Sequence, residues 1–311
     1  MTNVFVVGSA NVDLIARVPH LPAPGETLLC SESATRPGGK GANQAVAASR
    51  LGARTTIYAA VGDDAFGGRV RASLDDEGVC VDRVIQVAGV ATGIAMIVVS
   101  DQGENSIVVA PGANHRLDVD TLRGLEDELT PGDVVVVQLE IPLATCVEAA
   151  RLARRAGARV VLNAAPLPEP GDLCFADLLG TVDVLVVNEG EALALADQAP
   201  PVDGTGWGRL AGNLRKLGPS ACVVTLGGDG AVAVDDSGVY AHPAYPVDVV
   251  DTTGAGDAFC GALAVGLARG EPLSTAMRRG CAAGALATSR LGAQTALPTV
   301  DELDRFLREV G

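Results

Sequence analysis

Aromatic side chains are scarce in this 311-residue chain: five Phe, three Tyr and one Trp, 3% in all. A core must be filled by Val, Leu and Ala instead, and the 48% apolar content is enough for one large α/β domain. Basic residues are also few. Lys and Arg number 23 against 38 Asp and Glu, giving a formal charge of −15, and no basic cluster interleaves with aromatics. That balance argues against nucleic acid and anionic membranes as partners. No apolar run approaches about 18 residues, the start at Met1-Thr2-Asn3-Val4 carries no basic segment, and Asp13 interrupts the first apolar stretch. The expectation is a soluble cytoplasmic protein. Cys30, Cys80, Cys146, Cys174, Cys222, Cys260 and Cys281 show no CxxC or metal-type spacing, which predicts reduced, mostly buried thiols. His20, His115 and His242 share no motif and receive no chemistry. The Walker loop and the Gly-x-Gly-x-x-Gly fingerprint are both missing, which removes the two commonest nucleotide signatures.

What is plentiful is glycine, 38 residues, and several stand where a helix should start. Asp251-Thr252-Thr253-Gly254-Ala255-Gly256-Asp257 precedes the apolar run Ala258 to Leu267. Glycine permits close backbone approach, and a helix start offers unpaired N–H groups to an anion. Asp257 falls in the first turn, where a carboxylate can take a proton from an attacking hydroxyl; equally, Asp251 and Asp257 can serve as plain caps. A second glycine-opened helix follows Arg36-Pro37-Gly38-Gly39-Lys40-Gly41-Ala42-Asn43-Gln44-Ala45 and ends near Leu51-Gly52. Lys40 and Asn43 can supply donors there, or the stretch is a turn with an exposed lysine.

Val4 to Val7 reads as a buried strand feeding a loop, Gly8 to Asp13. If that loop is extended, Asn11 and Asp13 point to one side and can bind vicinal hydroxyls; otherwise they form an Asx-turn. Segments 14–18, 27–36, 93–100 and 105–110 read as strands of a small separate sheet, the last two as a hairpin across Asp101-Gln102-Gly103-Glu104. From residue 54 strands and helices alternate. Strands are expected over Thr55–Ala60, Val134–Leu139, Ala158–Asn163, Val182–Val187 and Ala221–Leu226, and helices over Ala65–Leu74, Leu117–Leu129, Leu143–Ala156 and Ser274–Thr288. Asp301 to Val310 closes the chain as an amphipathic helix. Continuous apolar strands predict an α/β fold with a mostly parallel sheet covered on both faces, in a single domain over 1–311, with ligands at the strands' carboxyl ends.

Polar residues collect just past those ends: Glu140, Asn163, the Asn188-Glu189-Gly190-Glu191 run, and Thr225-Leu226-Gly227-Gly228-Asp229-Gly230. Asn188 and Glu191 share one helical face and can orient a hydrated Mg²⁺, or they form an ordinary acidic helix start. The backbone of Thr225 to Gly230 can face nucleotide phosphates, ahead of a hairpin across Asp235-Asp236-Ser237-Gly238.

Taken together, the Gly38 to Ala45 and Asp251 to Asp257 motifs resemble the paired signatures of the PfkB carbohydrate kinase family, over essentially the whole chain. The Gly-Gly-Lys-Gly-Ala-Asn-Gln form is similar to that of its ribose-phosphorylating members. The resemblance implies a three-layer α/β domain with a small β-sheet lid, and a homodimer formed through that lid. It implies Asp257 as general base, with Gly254, Ala255 and Gly256 as anion hole. Asn11, Asp13, Gly39, Lys40, Asn43 and Glu140 match sugar-holding positions. Asn188 and Glu191 match a motif that organises Mg²⁺, and Thr225, Gly227, Gly228, Asp229 and Gly230, with Gly256 and Cys281, match the ATP site. Asp251 and Thr253, with the backbones of Ala287, Arg290 and Gly292, match a K⁺ site; Ala296 departs from the serine of some members. The implied reaction moves the γ-phosphoryl of ATP to the 5-hydroxyl of D-ribose. A kinase for another sugar or nucleoside (2-deoxyribose, fructose, adenosine), or a non-catalytic sugar- or nucleotide-sensing protein, stays open.

Overall fold

A computed structural model describes residues 2–201 and 206–310; Met1, residues 202–205 and Gly311 lie outside the described residues. The first part of the chain runs β1 (Asn3–Val7), β2 (Asn11–Val18), β3 (Glu32–Gly38), α1 (Lys40–Arg50), β4 (Arg54–Gly62), α2 (Ala65–Asp76), β5 (Val84–Val87), β6 (Gly93–Ser100) and β7 (Asn105–Ala110). A one-turn helix α3 (Leu125–Glu128) leads to β8 (Val134–Gln138), α4 (Leu143–Ala156), β9 (Arg159–Asn163), α5 (Leu173–Leu179), β10 (Val184–Asn188), α6 (Glu189–Ala196), α7 (Gly206–Arg215) and β11 (Ala221–Thr225). The chain ends with the hairpin β12 (Ala231–Asp235) and β13 (Gly238–His242), then α8 (Ala255–Ala268), α9 (Leu273–Thr288) and α10 (Val300–Val310).

Nine strands form one sheet in the order β13-β12-β11-β10-β9-β8-β1-β4-β5, and β3-β2-β6-β7 form a second, smaller sheet. Within the large sheet only the pairings of β12 with β11 and β13 are antiparallel. Its central strands are apolar on both faces because each face is covered: β8 is Val-Val-Val-Val-Gln, buried throughout. Alternation along β1 divides the core. Val4 and Val6 face a layer built from α1, α8 and α9, while Phe5 and Val7 face one built from α4, α5 and α7. With so few aromatics, the first layer relies on Ala and Gly for close helix packing. A Cβ on Gly261 of α8 would lie 2.5 Å from the Ala47 Cβ of α1, so the two helices are as near as glycine allows. Among the described residues no helix is long and apolar enough to cross a membrane.

Three expectations need correction. The stretch Gly8 to Asp13 is not all loop: β2 starts at Asn11 and pairs with both β3 and β6. The strand expected over 27–36 is displaced to Glu32–Gly38, with Pro37 opposite Val12; as the edge strand it needs no ladder N–H on its outer side. The continuous helix over Leu117–Leu129 is instead a 3-10 turn at Val119–Leu122 and the short α3, divided at Gly124, whose φ of 88° is left-handed. All seven cysteines are free, and Cys146, Cys222, Cys260 and Cys281 are buried.

Candidate active site

Two helices begin at glycines at the carboxyl edge of the large sheet. Gly39 (φ 90°) precedes α1 and Gly254 (φ 76°) precedes α8, and neither start has a side-chain cap. Both positions demand glycine twice over. A Cβ on Gly39 would meet the Asn11 amide nitrogen at 2.9 Å, and one on Gly254 would meet the Ala293 Cα at 3.0 Å, quite apart from the left-handed φ. The start of α8 faces a cavity of about 150 Å³ with its positive end, whereas the first N–H groups of α1 are already taken by Glu140, Ser9 and Gly39. Its lining includes Lys40, Asn163, Asn188, Glu191, Thr225, Gly254, Gly256 and Asp257, drawn from successive strand ends and both helix starts.

Asp257 is the most enclosed charged group there, 8% exposed. Its Oδ2 accepts from Asn43 Nδ2 and its Oδ1 from Gln44 Nε2, each at 2.9 Å. Burial pushes the carboxyl above its ordinary range, against the pull of Lys40 and the two amides, and Glu140 adds to the rise. Burial lowers the Lys40 ammonium, but the surrounding Asp257, Glu140 and Glu191 carboxylates outweigh it and leave the lysine above its usual value. Asp13, 9% exposed, is pushed up to about 6 by burial, then by Glu140 and Asp257. Asp257, Glu140 and Glu191 thus share one lysine, with Asp13 as a fourth carboxylate nearby, a concentration of perturbed groups typical of functional sites.

The remaining sugar-side positions are held by a second ring of bonds. Glu140 Oε2 accepts from Ser9 Oγ at 2.5 Å and from the Lys40 N–H at 3.2 Å. Asn11 Oδ1 accepts from Asn114 Nδ2 at 2.6 Å, and Asn114 Oδ1 accepts from the Ala10 N–H at 2.9 Å. Asn43 Oδ1 is buried with no partner among the described residues. A Cβ on Gly38 would fall 2.3 Å from the Asp13 carboxylate, so this glycine makes room for it.

Asn188 and Glu191 realise the helix-start alternative in full. Asn188 Oδ1 accepts from the Glu191 N–H and Glu191 Oε2 from the Asn188 N–H, both at 2.8 Å, a reciprocal capping box on α6. Glu191 nevertheless faces the cavity, and burial raises its carboxyl against the Asn188 N–H and Lys40. Asp251 braces the loop before α8: Oδ1 accepts from Thr253 N–H and Oγ at 2.9 and 2.6 Å, and Oδ2 from the Gly292 N–H at 2.8 Å. Burial would raise its carboxyl, but those bonds and the nearby Arg36 hold it below the ordinary range. The Ala287 carbonyl accepts from the Arg290 N–H at 3.3 Å where α9 ends. Gly227, Gly228 and Asp229 form an exposed 3-10 turn after β11, with Gly230 (φ 98°) closing it. Cys281 does not line the cavity; it packs in the α8–α9 core, and burial pushes its thiol up to about 12.

Sequence reasoning passed over Ser9, Gln44, Asn114, Gln138 and Cys260. Ser9 and Gln44 stand inside the two motifs that were singled out, and their polarity at buried helix and strand positions was the available signal. Asn114 and Gln138 are paired only across long chain separations, which local patterns do not carry.

A glycine-opened helix start beside an enclosed carboxylate and a lysine has the chemistry a small-molecule kinase needs. The chain belongs to the PfkB family of carbohydrate kinases, whose family model matches residues 1–300. It is 36% identical to the ribokinase of Schizosaccharomyces pombe, over 98% of this chain and 97% of that protein. It is also 32% identical to the deoxyribokinase of Salmonella typhi, over 98% of both chains. The solved structure of Arabidopsis thaliana ribokinase complexed with ribose and ATP superposes with a TM-score of 0.88 at 31% identity, over 99% of each chain.

Proposed function

We propose that the chain transfers the γ-phosphoryl of ATP to the 5-hydroxyl of D-ribose, yielding ribose 5-phosphate and ADP. The observation that carries the reading is Asp257: a buried carboxylate of raised basicity at an uncapped helix start, with Lys40 beside it. Asp257 takes the hydroxyl proton as the sugar oxygen bonds to phosphorus and the bond from phosphorus to the ADP oxygen breaks. The backbone N–H groups of the Gly254-Ala255-Gly256 turn donate to the phosphoryl oxygens, and Lys40 offsets charge on the transferring group. Asn11, Asp13, Gly39, Asn43 and Glu140 hold the sugar; the partnerless Asn43 Oδ1 is an acceptor suited to a hydroxyl. Thr225 to Gly230, with Asn188 and Gly256, flank the nucleotide; Cys281, packed in the α8–α9 core, supports this wall from behind.

Asn188 and Glu191 fit a Mg²⁺ that arrives with ATP, because both line the cavity and the capping box engages only one Glu191 carboxylate oxygen, Oε2, leaving an oxygen donor for a hydrated ion. When bound, Mg²⁺ neutralises charge on the β- and γ-phosphates. The oxygen-only set of Asp251, Thr253 and the backbones of Ala287, Arg290 and Gly292 fits a weakly hydrated K⁺, with the Ala287 carbonyl already shared with an N–H. The small sheet acts as a lid, and its exposed Met96, Ile107, Val108 and Val109 supply the apolar surface of a homodimer.

The reading is tested by ADP release from Mg-ATP with D-ribose, 2-deoxyribose, fructose and adenosine, each in K⁺ and in Na⁺. Ribose-selective turnover that rises with K⁺ is expected. Selective turnover of 2-deoxyribose, a sugar of the deoxyribose type named in the Salmonella typhi deoxyribokinase, would keep the kinase and replace the sugar. Tight ATP and ribose binding without ADP would replace the kinase with a sensing protein.

A further inference from the structure

Gln44 lines no part of the cavity and is 0% exposed, so it touches no ligand, yet its amide is fully used. Nε2 donates to Asp257 Oδ1 at 2.9 Å and to Asn163 Oδ1 at 3.0 Å, while Oε1 accepts from Gln138 Nε2 at 2.7 Å. Turning the amide over would set its oxygen against two acceptors and its nitrogen against a donor. In this orientation Gln44 presents an N–H to Asp257 Oδ1, a bond that is stronger when the carboxyl is ionised.

We propose that Gln44 is the positioning residue of the base, fixing the Asp257 carboxylate in one rotamer through the buried chain Gln138–Gln44–Asp257. The inference rests on the reading of Asp257 as the base. Asn43, the neighbouring donor, lies at the sugar side and can be disturbed when a hydroxyl binds; Gln44 holds from behind and is not. A neutral donor suits this task. A cation in the same place would stabilise the anion strongly and blunt its basicity, whereas an amide steadies it modestly. The other charged or titratable groups facing Asp257 are Lys40 from α1, Glu140 after β8, Asp13 from β2 and Cys260 one turn along α8.

The test is ADP release across pH 5 to 9, with the sugar the parent turns over, for the parent, Gln44→Met, Gln44→Glu and Gln138→Met. Gln44→Met should lower kcat roughly 10- to 100-fold, the worth of one bond to a charged group. The sugar KM should stay within about threefold, and the acid limb of kcat/KM should move upward. Gln44→Glu places a second carboxyl 2.9 Å from Asp257 Oδ1; its acid limb should rise by about a unit or more, with activity returning as pH increases. Gln138→Met, which leaves every Asp257 bond in place, should shift the limb in the same direction by less, and it serves where a Gln44 variant fails to fold. Parental kcat and parental acid limbs in the folded variants would overturn the proposal, as would a lower melting temperature with equal losses in kcat and sugar affinity and no limb shift. A parent inactive with every sugar would remove the base assignment itself, and this inference with it.

Discussion

Replacing Asp13 by Asn should make the protein more stable and a worse enzyme. Asp13 is 9% exposed, its carboxylate accepts no hydrogen bond from the described residues, and it has Glu140 and Asp257 as neighbours. Its folded value of about 6 stands against 3.8 in the unfolded chain. A raised carboxyl favours folding when protonated, so its contribution is fully present below about pH 4 and is lost as pH rises through about 6. A difference of about two pH units, at about 1.36 kcal/mol each, makes that loss about 3 kcal/mol, a large share of an ordinary folding free energy. The amide of the variant carries no charge to lose. Urea unfolding at pH 4.5 and pH 7.5 should show the variant ahead by about 1 kcal/mol at the lower pH and by about 3 kcal/mol at the higher. Ribose KM should meanwhile rise about 10- to 100-fold with a smaller change in kcat, since charged contacts to hydroxyls are weakened. An unchanged pH slope of stability in the variant would refute the carboxylate crowding from which the magnitude comes.

The other site residues give sharper kinetic outcomes. Asp257→Asn should cut kcat by about 10²- to 10⁴-fold while leaving ribose and ATP binding close to the parent by calorimetry; turnover within tenfold of the parent would remove it as base. Gly254→Ala meets both a left-handed φ and the Ala293 backbone, whereas nothing lies within 4 Å of a Cβ on Gly256. The first should lower the melting temperature, and Gly256→Ala should keep it and lose turnover, because its methyl enters the anion pocket. Asn188→Ala removes one half of the capping box on α6 and should cost about 1 kcal/mol of stability in urea titration, with a raised requirement for Mg²⁺ in the activity assay.

Strands β8 to β11 were legible because burial on both faces leaves an unbroken apolar run, and the polar residues after them were legible because such runs end at a ligand edge. Reading the small sheet was harder. Pro37 and Gly38 look like strand breakers, and only the edge position of β3 and the room Gly38 gives to Asp13 explain them there. The expected helix over Leu117 to Leu129 kept its buried Leu122 and Leu125, but Gly124 turns the chain between them. At the site, charged residues in glycine-rich turns stood out, while Gln44, Gln138 and Asn114 did not. A buried amide declares itself only through its partner, and these partners lie 94 to 213 residues away.

The placement of Asn11 and Asp13 on β2 has a mechanical consequence. Only Gly8 to Ala10 separate β2 from β1, and that link is pinned by the Gly8 N–H on the Tyr58 carbonyl, Ser9 Oγ on Glu140 and the Ala10 N–H on Asn114. As the lid proposed above, the small sheet would swing as a lever with its fulcrum at the root of β2. At about 3.3 Å per residue the eight-residue strand reaches about 23 Å from Asn11 to Val18, so a swing of about 10° carries the far end about 4 Å and Asp13 only about 1 Å. On the proposed function, grip on the sugar and exclusion of water would be decoupled along one strand: changes at its distal end should alter how much ATP is wasted on water, and changes at its root how tightly the sugar is held.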